Sequence, residues 1–268
     1  MPELPEVETI VRGLARTVTG RRIAEVRVET PRSVVNDLPG DFTELLRDEA
    51  IAEVRRRAKF IVMPLASGRT LTVHLRMTGR LIVERAPAED PYARVRLRFR
   101  DGGWLRFSDM RKFGRMRLTA NGQWAAGLGD EPLELSFTPR RLANLLAGRR
   151  GPIKSLLLDQ RVVAGVGNIY ACEALFQAGI HPARRAGSLS RVRVERLHSA
   201  LIRVLEEAIA KGGTSVEHYV DAEGLEGGFQ NNLAVYGREG LSCLRCHAPV
   251  KRVTIGQRGT FYCPRCQR

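Results

Sequence analysis

The chain has 268 residues and carries 44 Lys+Arg against 29 Asp+Glu, a formal charge of +15. Its 43% hydrophobic content supports a real core and excludes general disorder. No apolar run approaches a membrane span, and Met1-Pro2-Glu3 opens without the basic stretch and apolar run of a secretory signal. A cytoplasmic location is therefore expected. The charge is spread evenly: 24 basic against 17 acidic residues in 1–130, and 20 against 12 in 131–268. A disordered basic tail would concentrate it at one end. Two folded surfaces facing a polyanion, usually nucleic acid, explain it better than a merely solubilising surface. Lysine occurs only at 59, 112, 154, 211 and 251, so Lys59 and Lys154 stand out in an arginine-biased chain.

Residues 3–19 predict an amphipathic helix, with Val7, Ile10, Val11, Leu14 and Val18 at helical spacing. Pro5 is tolerated in a first turn, and Glu3, Glu6 and Glu8 crowd the positive end of the helix dipole. Strands follow at 23–29, 51–65, 70–83, 94–100, 104–107 and 115–119. The clearest is Arg94 to Arg100, strictly alternating arginine and apolar residues before an Asp101-Gly102-Gly103 turn. Short strands in series suggest an antiparallel sandwich or barrel. Glycine and proline punctuate 120–139, which places a boundary near 130. Helices are then expected at 139–147, 152–159, 168–178 and 190–211. The fold class is α+β: a helix plus antiparallel β-sandwich over 1–130, a helical domain over 131–235, and a cysteine-bearing ribbon over 236–268.

Cys243-x2-Cys246 is followed after sixteen residues (247–262) by Cys263-x2-Cys266. Four thiolates in two close pairs suit one tetrahedral structural zinc, with no open position for catalysis. Two disulfides are the alternative, disfavoured in a reducing compartment. The segment between the pairs alternates around Gly256-Gln257-Arg258-Gly259, a hairpin presenting Arg258. Cys172 has no partner in sequence and reads as a buried small residue.

At the other end, removal of Met1 would expose Pro2 as a secondary amine. A terminal amine has a pKa of roughly 8 and is partly neutral at physiological pH, as attack on a carbon electrophile requires. Glu3 lies beside it as a proton donor or acceptor. An ordinary translation start explains the same residues.

The heptapeptide Pro2-Glu3-Leu4-Pro5-Glu6-Val7-Glu8 resembles the opening of formamidopyrimidine-DNA glycosylases. The likeness continues through Arg57-Ala58-Lys59-Phe60, the segment 74–79, the segment 109–114, the segment 165–170 and the ribbon, in the family's order. The family removes oxidised purines from duplex DNA and then cuts the strand. The resemblance implies Pro2 as nucleophile, Glu3 as acid/base, and Lys59 and Arg258 as groups near phosphate that assist elimination. It implies Glu6 as a structural carboxylate at the helix start. Met77, Arg111 and Phe113 correspond to the wedge that fills the gap left by an everted base. His74, Tyr92, Arg111, Arg149, Lys154 and Asn168 correspond to DNA contacts, and the segment carrying Asn168 to a helix–two-turn–helix element. Residues 214–229 match a loop over the lesion, with backbone around Val216, Glu217, His218 and Tyr219 reading the base. Met110 and Lys112 depart from the family's usual proline and arginine, and Tyr92 stands where many members have histidine. The resemblance thus implies a monomeric, nucleoid-associated enzyme with one structural Zn2+, DNA lying between its first two domains. Its substrates would be 8-oxoguanine and formamidopyrimidines. The alternatives are a related lyase for oxidised pyrimidines, of the endonuclease VIII type, and a non-catalytic zinc-ribbon DNA-binding protein.

Overall fold

Helix α1 (Leu4–Val18) forms where the apolar spacing places it, with Glu3 as N-cap rather than as its first residue. Its start is fixed by a reciprocal capping box: the Glu3 carboxylate accepts the Glu6 amide, and the Glu6 carboxylate accepts the Glu3 amide at 2.8 Å. The computed structural model describes residues 1–120, 122–215 and 219–268. They divide into two compact units, 1–126 with 211–228, and 127–210 with 229–268. This differs from the linear order expected: residues 211–228 return to the first unit, and the ribbon clusters with the helices.

The first unit has nine strands: β1 (Ile23–Val28), β2 (Val34–Asn36), β3 (Arg55–Arg57), β4 (Phe60–Pro64), β5 (Thr70–His74), β6 (Gly79–Glu84), β7 (Ala93–Phe99), β8 (Trp104–Asp109) and β9 (Arg115–Thr119). One sheet has the order β1-β7-β8-β6, the other β2-β9-β5-β4-β3. All pairings are antiparallel except β2 with β9. Alternate residues of both sheets, among them Val73, Leu81, Val95, Leu97 and Met116, share one core with Val7, Ile10 and Leu14 of α1. The runs at 51–65 and 70–83 are each broken in two, because Ala58-Lys59 and residues 75–78 are turns. The arginines of β7 and β8 are held within their own sheet: Arg98 pairs with Glu25 at 3.1 Å, Arg106 with Glu84 at 2.6 Å, and Arg94 donates to the Asp109 carbonyl at 2.9 Å.

A short helix α2 (Phe42–Leu46) lies between β2 and β3, capped by Asp41, whose carboxylate accepts the amides of Thr43 and Glu44. The second unit contains α3 (Pro139–Leu146), α4 (Ile153–Leu158), α5 (Asn168–Ala178) and α6 (Arg191–Ala210). Its ribbon is the antiparallel pair β10 (Lys251–Ile255) and β11 (Arg258–Tyr262). Helix α5 is apolar nearly all round and buried, as a central helix must be. Cys172 and Phe176 on it pack with Cys243, Val250 and Cys263 of the ribbon. Among the described residues no helix is long and apolar enough to cross a membrane.

One buried charge ties α5 to the segment leading into the ribbon. Glu173 is 2% exposed, and its carboxylate accepts three successive amides, Ala234, Val235 and Tyr236, at 2.9, 3.0 and 2.8 Å. Burial raises its pKa and the three donors oppose that rise. Replacing Glu173 with alanine leaves buried amides without an acceptor, at a cost on the order of 3 kcal/mol. Both tryptophans, Trp104 and Trp124, lie in the first unit. Urea unfolding of Glu173→Ala should therefore shift the helical circular-dichroism transition to lower denaturant and leave the tryptophan-fluorescence transition in place.

Candidate active site and nucleic-acid interface

The first three residues sit on the start of α1. Pro2 is buried and Glu3 is 3% exposed. Glu6, 2% exposed, serves two segments at once. One carboxylate oxygen accepts the Glu3 amide, and the other accepts the Thr214 amide at 2.8 Å. Gly213 makes that approach possible: its φ is +83°, and a Cβ there would lie 3.0 Å from a Glu6 oxygen. The Tyr219 hydroxyl donates to the Gly212 carbonyl at 3.0 Å, and burial beside Glu6 raises its pKa. The Ser215 hydroxyl donates to the Tyr219 carbonyl and accepts the Gly227 amide. The root of the loop is thereby closed on the helix start. Of the loop positions expected to read the base, Tyr219 has this structural place, while Val216, Glu217 and His218 lie outside the described residues.

Sheet register gathers the next group. Phe60 pairs with His74, and His74 with Arg115, across β4, β5 and β9. The turn before Phe60 carries Lys59, the turn after His74 carries Met77, and the loop before Arg115 carries Arg111 and Phe113. All these side chains therefore emerge at one end of the same sheet. Lys59 is 5% exposed, presented by a two-residue turn in which Ala58 adopts φ +53°. The neighbouring Arg56 is fixed by Glu8 of α1 at 2.9 Å.

His74 is neutral. Its pKa is pushed down to about 3, chiefly by burial, then by the charges of Arg76 and Lys59. Its Nδ1 accepts the Arg76 amide at 3.0 Å, so the ring proton belongs on Nε2. The Phe60 ring meets the imidazole edge-on at 4.6 Å.

Met77, Arg111 and Phe113 form one exposed cluster. Met77 is 37% and Phe113 49% exposed; the Arg111 guanidinium lies 3.1 Å from the Met77 sulfur and 4.8 Å from the Phe113 ring centroid. Met110 and Tyr92 are also exposed, at 44% and 46%. The loop's organiser was not singled out from sequence. Asp109, 1% exposed, accepts the Arg111 amide at 3.2 Å, the Gly114 amide at 2.6 Å and the Thr78 hydroxyl. An aspartate closing a strand and accepting an amide two residues on is an Asx turn, and that is the signal that marks it. Lys112 occupies φ +58°, a left-handed turn position.

In the second unit Arg258 opens β11 and is exposed at the ribbon tip, after a turn in which Gly256 and Gln257 have φ +56° and +60°. Arg149 is exposed after the end of α3. Lys154 is buried beside the ribbon. It is 0% exposed, and its ammonium donates to Asn168 Oδ1 at 2.5 Å, Thr260 Oγ1 at 2.6 Å and the Gly259 carbonyl at 3.3 Å. Asn168 also faces the ribbon, donating from Nδ2 to the Gly259 carbonyl at 3.0 Å.

The sulfurs of Cys243, Cys246, Cys263 and Cys266 all lie within 4.8 Å of one another. The Cys246–Cys263 and Cys243–Cys266 separations, 3.4 and 3.9 Å, are far beyond a disulfide bond of about 2.05 Å. They bracket the roughly 3.8 Å between sulfurs on a tetrahedral zinc with Zn–S bonds of about 2.3 Å. The thiol of Cys266 is pushed up to about 12 by burial and by its three neighbouring sulfurs, the electrostatic situation a dication relieves. The residues fit one structural zinc.

Three family descriptions match the chain: the formamidopyrimidine-DNA glycosylase N-terminal domain over residues 1–116, the formamidopyrimidine-DNA glycosylase H2TH domain over 128–220, and the zinc finger found in FPG and IleRS over 240–268. The formamidopyrimidine-DNA glycosylase of Symbiobacterium thermophilum is 46% identical over 273 residues, covering 100% of this chain and 89% of that protein. The crystal structure of the MutM (Fpg) protein of Thermus thermophilus superposes with a TM-score of 0.89 at 41% identity, covering 99% and 98% of the two chains. A Lactococcus lactis Fpg variant bound to DNA containing Fapy-dG gives 0.91 at 34% identity, covering 100% of each. With its helix start, central helix and cysteine ribbon in one full-length match, the chain belongs to the formamidopyrimidine-DNA glycosylase family.

Proposed function

We propose that this chain is a bifunctional DNA glycosylase and abasic-site lyase of base excision repair. It excises oxidised purines, 8-oxoguanine and formamidopyrimidines, from duplex DNA and works as a monomer at the nucleoid. One observation carries the reading: a full-length family match whose N-terminal Pro2-Glu3 stands on a buried, doubly capped helix start.

With Met1 removed, the Pro2 nitrogen is a secondary amine, partly neutral near a pKa of roughly 8. Its lone pair attacks C1′ of the damaged nucleotide as the bond from C1′ to the base breaks, and the departing base takes up the proton that the amine loses. Glu3 supplies the proton that opens the sugar ring, leaving an iminium between Pro2 and C1′. The iminium acidifies C2′. Loss of that proton expels the 3′ phosphate, and a second elimination expels the 5′ phosphate. Glu6 holds rather than reacts, since both its oxygens serve backbone amides. Lys59 and Arg258 stabilise phosphate charge; arginine keeps its proton too tightly to act as an acid. Met77, Arg111 and Phe113 fill the space of the everted base, two replacing stacking contacts and the arginine bonding the orphaned cytosine. Exposed Arg149 and Tyr92 contact the backbone, Tyr92 as a neutral donor. Asn168 contributes at the start of α5, where helix amides join it. Zinc, bound by four thiolates, stabilises the ribbon's fold.

His74 serves as a neutral donor to phosphate through Nε2. Its folded pKa lies below the unfolded value of 6.5, so below that pH the unfolded chain takes a proton that the folded chain refuses. Stability from this residue is present above pH 6.5 and falls away toward about 3. Proton NMR of the free protein should show no His74 inflection between about pH 5 and 8; a midpoint near the ordinary histidine value would contradict the buried, cation-flanked site. The substrate class is tested on duplexes carrying single lesions. Efficient release of 8-oxoguanine opposite cytosine and of formamidopyrimidine is expected. Excision of thymine glycol with 8-oxoguanine left intact would replace the reading by the endonuclease VIII type, and no excision of any lesion by a DNA-binding protein without catalysis.

A further inference from the structure

We propose that Lys154 is a positioning residue: through Gly259 and Thr260 it fixes the backbone that carries Arg258 onto the start of α5. The inference rests on the reading of Arg258 as a phosphate-binding group. A lysine ammonium has three protons, and here they meet Asn168 Oδ1, Thr260 Oγ1 and the Gly259 carbonyl. The side chain is 0% exposed, so it has no surface to offer a phosphate. Burying a charge is costly unless it is fully bonded, and such an arrangement suits a structural fastener.

The chain of contacts then leads to Arg258. Thr260 accepts from Lys154 and donates its own hydroxyl proton to the Arg258 carbonyl at 3.0 Å. Residues 258 and 260 are two apart on one strand, so their side chains leave the same face of the ribbon. Thr260 is 0% exposed on that face while Arg258 is exposed. Asn168 closes the arrangement, since its amide accepts from Lys154 and donates to the Gly259 carbonyl. At the tip itself Gly256 admits Ser155, whose Oγ would lie 3.0 Å from a Cβ there. Helix α4 thus touches both the turn and the strand that set the direction of Arg258.

Four variants of the zinc-loaded full-length protein test this: Lys154→Met, Thr260→Val, Arg258→Gln and Lys154→Met/Arg258→Gln. Affinity for abasic-site duplex is measured against salt, together with the ratio of δ- to β-elimination product. Loss of one phosphate contact lowers the slope of log affinity against log salt by about 0.9. Arg258→Gln should show that loss and a reduced δ/β ratio. Lys154→Met and Thr260→Val should reproduce both, and Lys154→Met should change affinity less than about twofold once Arg258 is already glutamine. Thr260→Val leaves the ammonium in the protein, so its match to Lys154→Met separates placement from loss of charge. Should Lys154→Met not retain zinc, Thr260→Val alone decides, since wild-type behaviour in that variant overturns the proposal. A further full loss of slope on adding Lys154→Met to Arg258→Gln also overturns it and makes Lys154 a phosphate ligand. If Arg258→Gln itself changes neither slope nor product ratio, the underlying assignment of Arg258 fails, and the proposal with it.

Discussion

The Glu6 carboxylate joins two segments far apart in sequence, accepting the Glu3 amide with one oxygen and the Thr214 amide with the other. A helix start has backbone amides without intrahelical partners, and its dipole favours negative charge there. A carboxylate satisfies one such amide and reaches across to a loop whose Gly213 lets it approach. Everything assigned to Pro2 and Glu3 depends on this fastening. A reacting amine must be held to within a fraction of an ångström of its electrophile, and a frayed helix end cannot do that. The same carboxylate sets the root of the loop, so the residues proposed to react and the segment expected to lie over the base share one anchor.

Several other placements repeat the device of a buried polar side chain serving backbone amides or carbonyls. Asp109 shapes the loop of Arg111 and Phe113, and Glu173 fastens α5 to residues 234–236. Lys154 does so for the ribbon with the opposite charge. These groups are costly to bury, and their bonds repay the cost only in one geometry. Several groups proposed to meet DNA are different: Arg111, Phe113, Arg149 and Arg258 are exposed, whereas Lys59 is 5% exposed. The +15 charge is therefore not all available to a polyanion. Arginines of β7 and β8 are paired with Glu25, Glu84 or a backbone carbonyl within their own sheet.

Periodicity located α1, α6 and most strands, because burial of one face dictates spacing of 3.6 or 2 residues. It could not locate β2, three residues paired in parallel with β9, where so short a run has no period. Helix α2 was legible in principle, since Asp41 and Glu44 carry the spacing of an N-cap and its third helical residue, yet five residues give no stripe. The zinc ligands were readable because metal geometry imposes a fixed spacing. The roles expected of Lys59, Met77, Arg111 and Phe113 came from the family resemblance, since a lone lysine or methionine in a strand region has no distinguishing pattern. Lys154 shows the limit of that route. The resemblance implied a phosphate contact, while two of its three bonds are to a strand more than a hundred residues away.

The central claim is that the amine held at this helix start is the nucleophile. It is tested most directly by trapping the protein with borohydride on an abasic-site duplex and mapping the reduced adduct by peptide mass spectrometry. The account predicts a single adduct on the Pro2 nitrogen of chains that have lost Met1. An adduct on Lys59, or trapping of equal yield by chains that retain Met1, would contradict it.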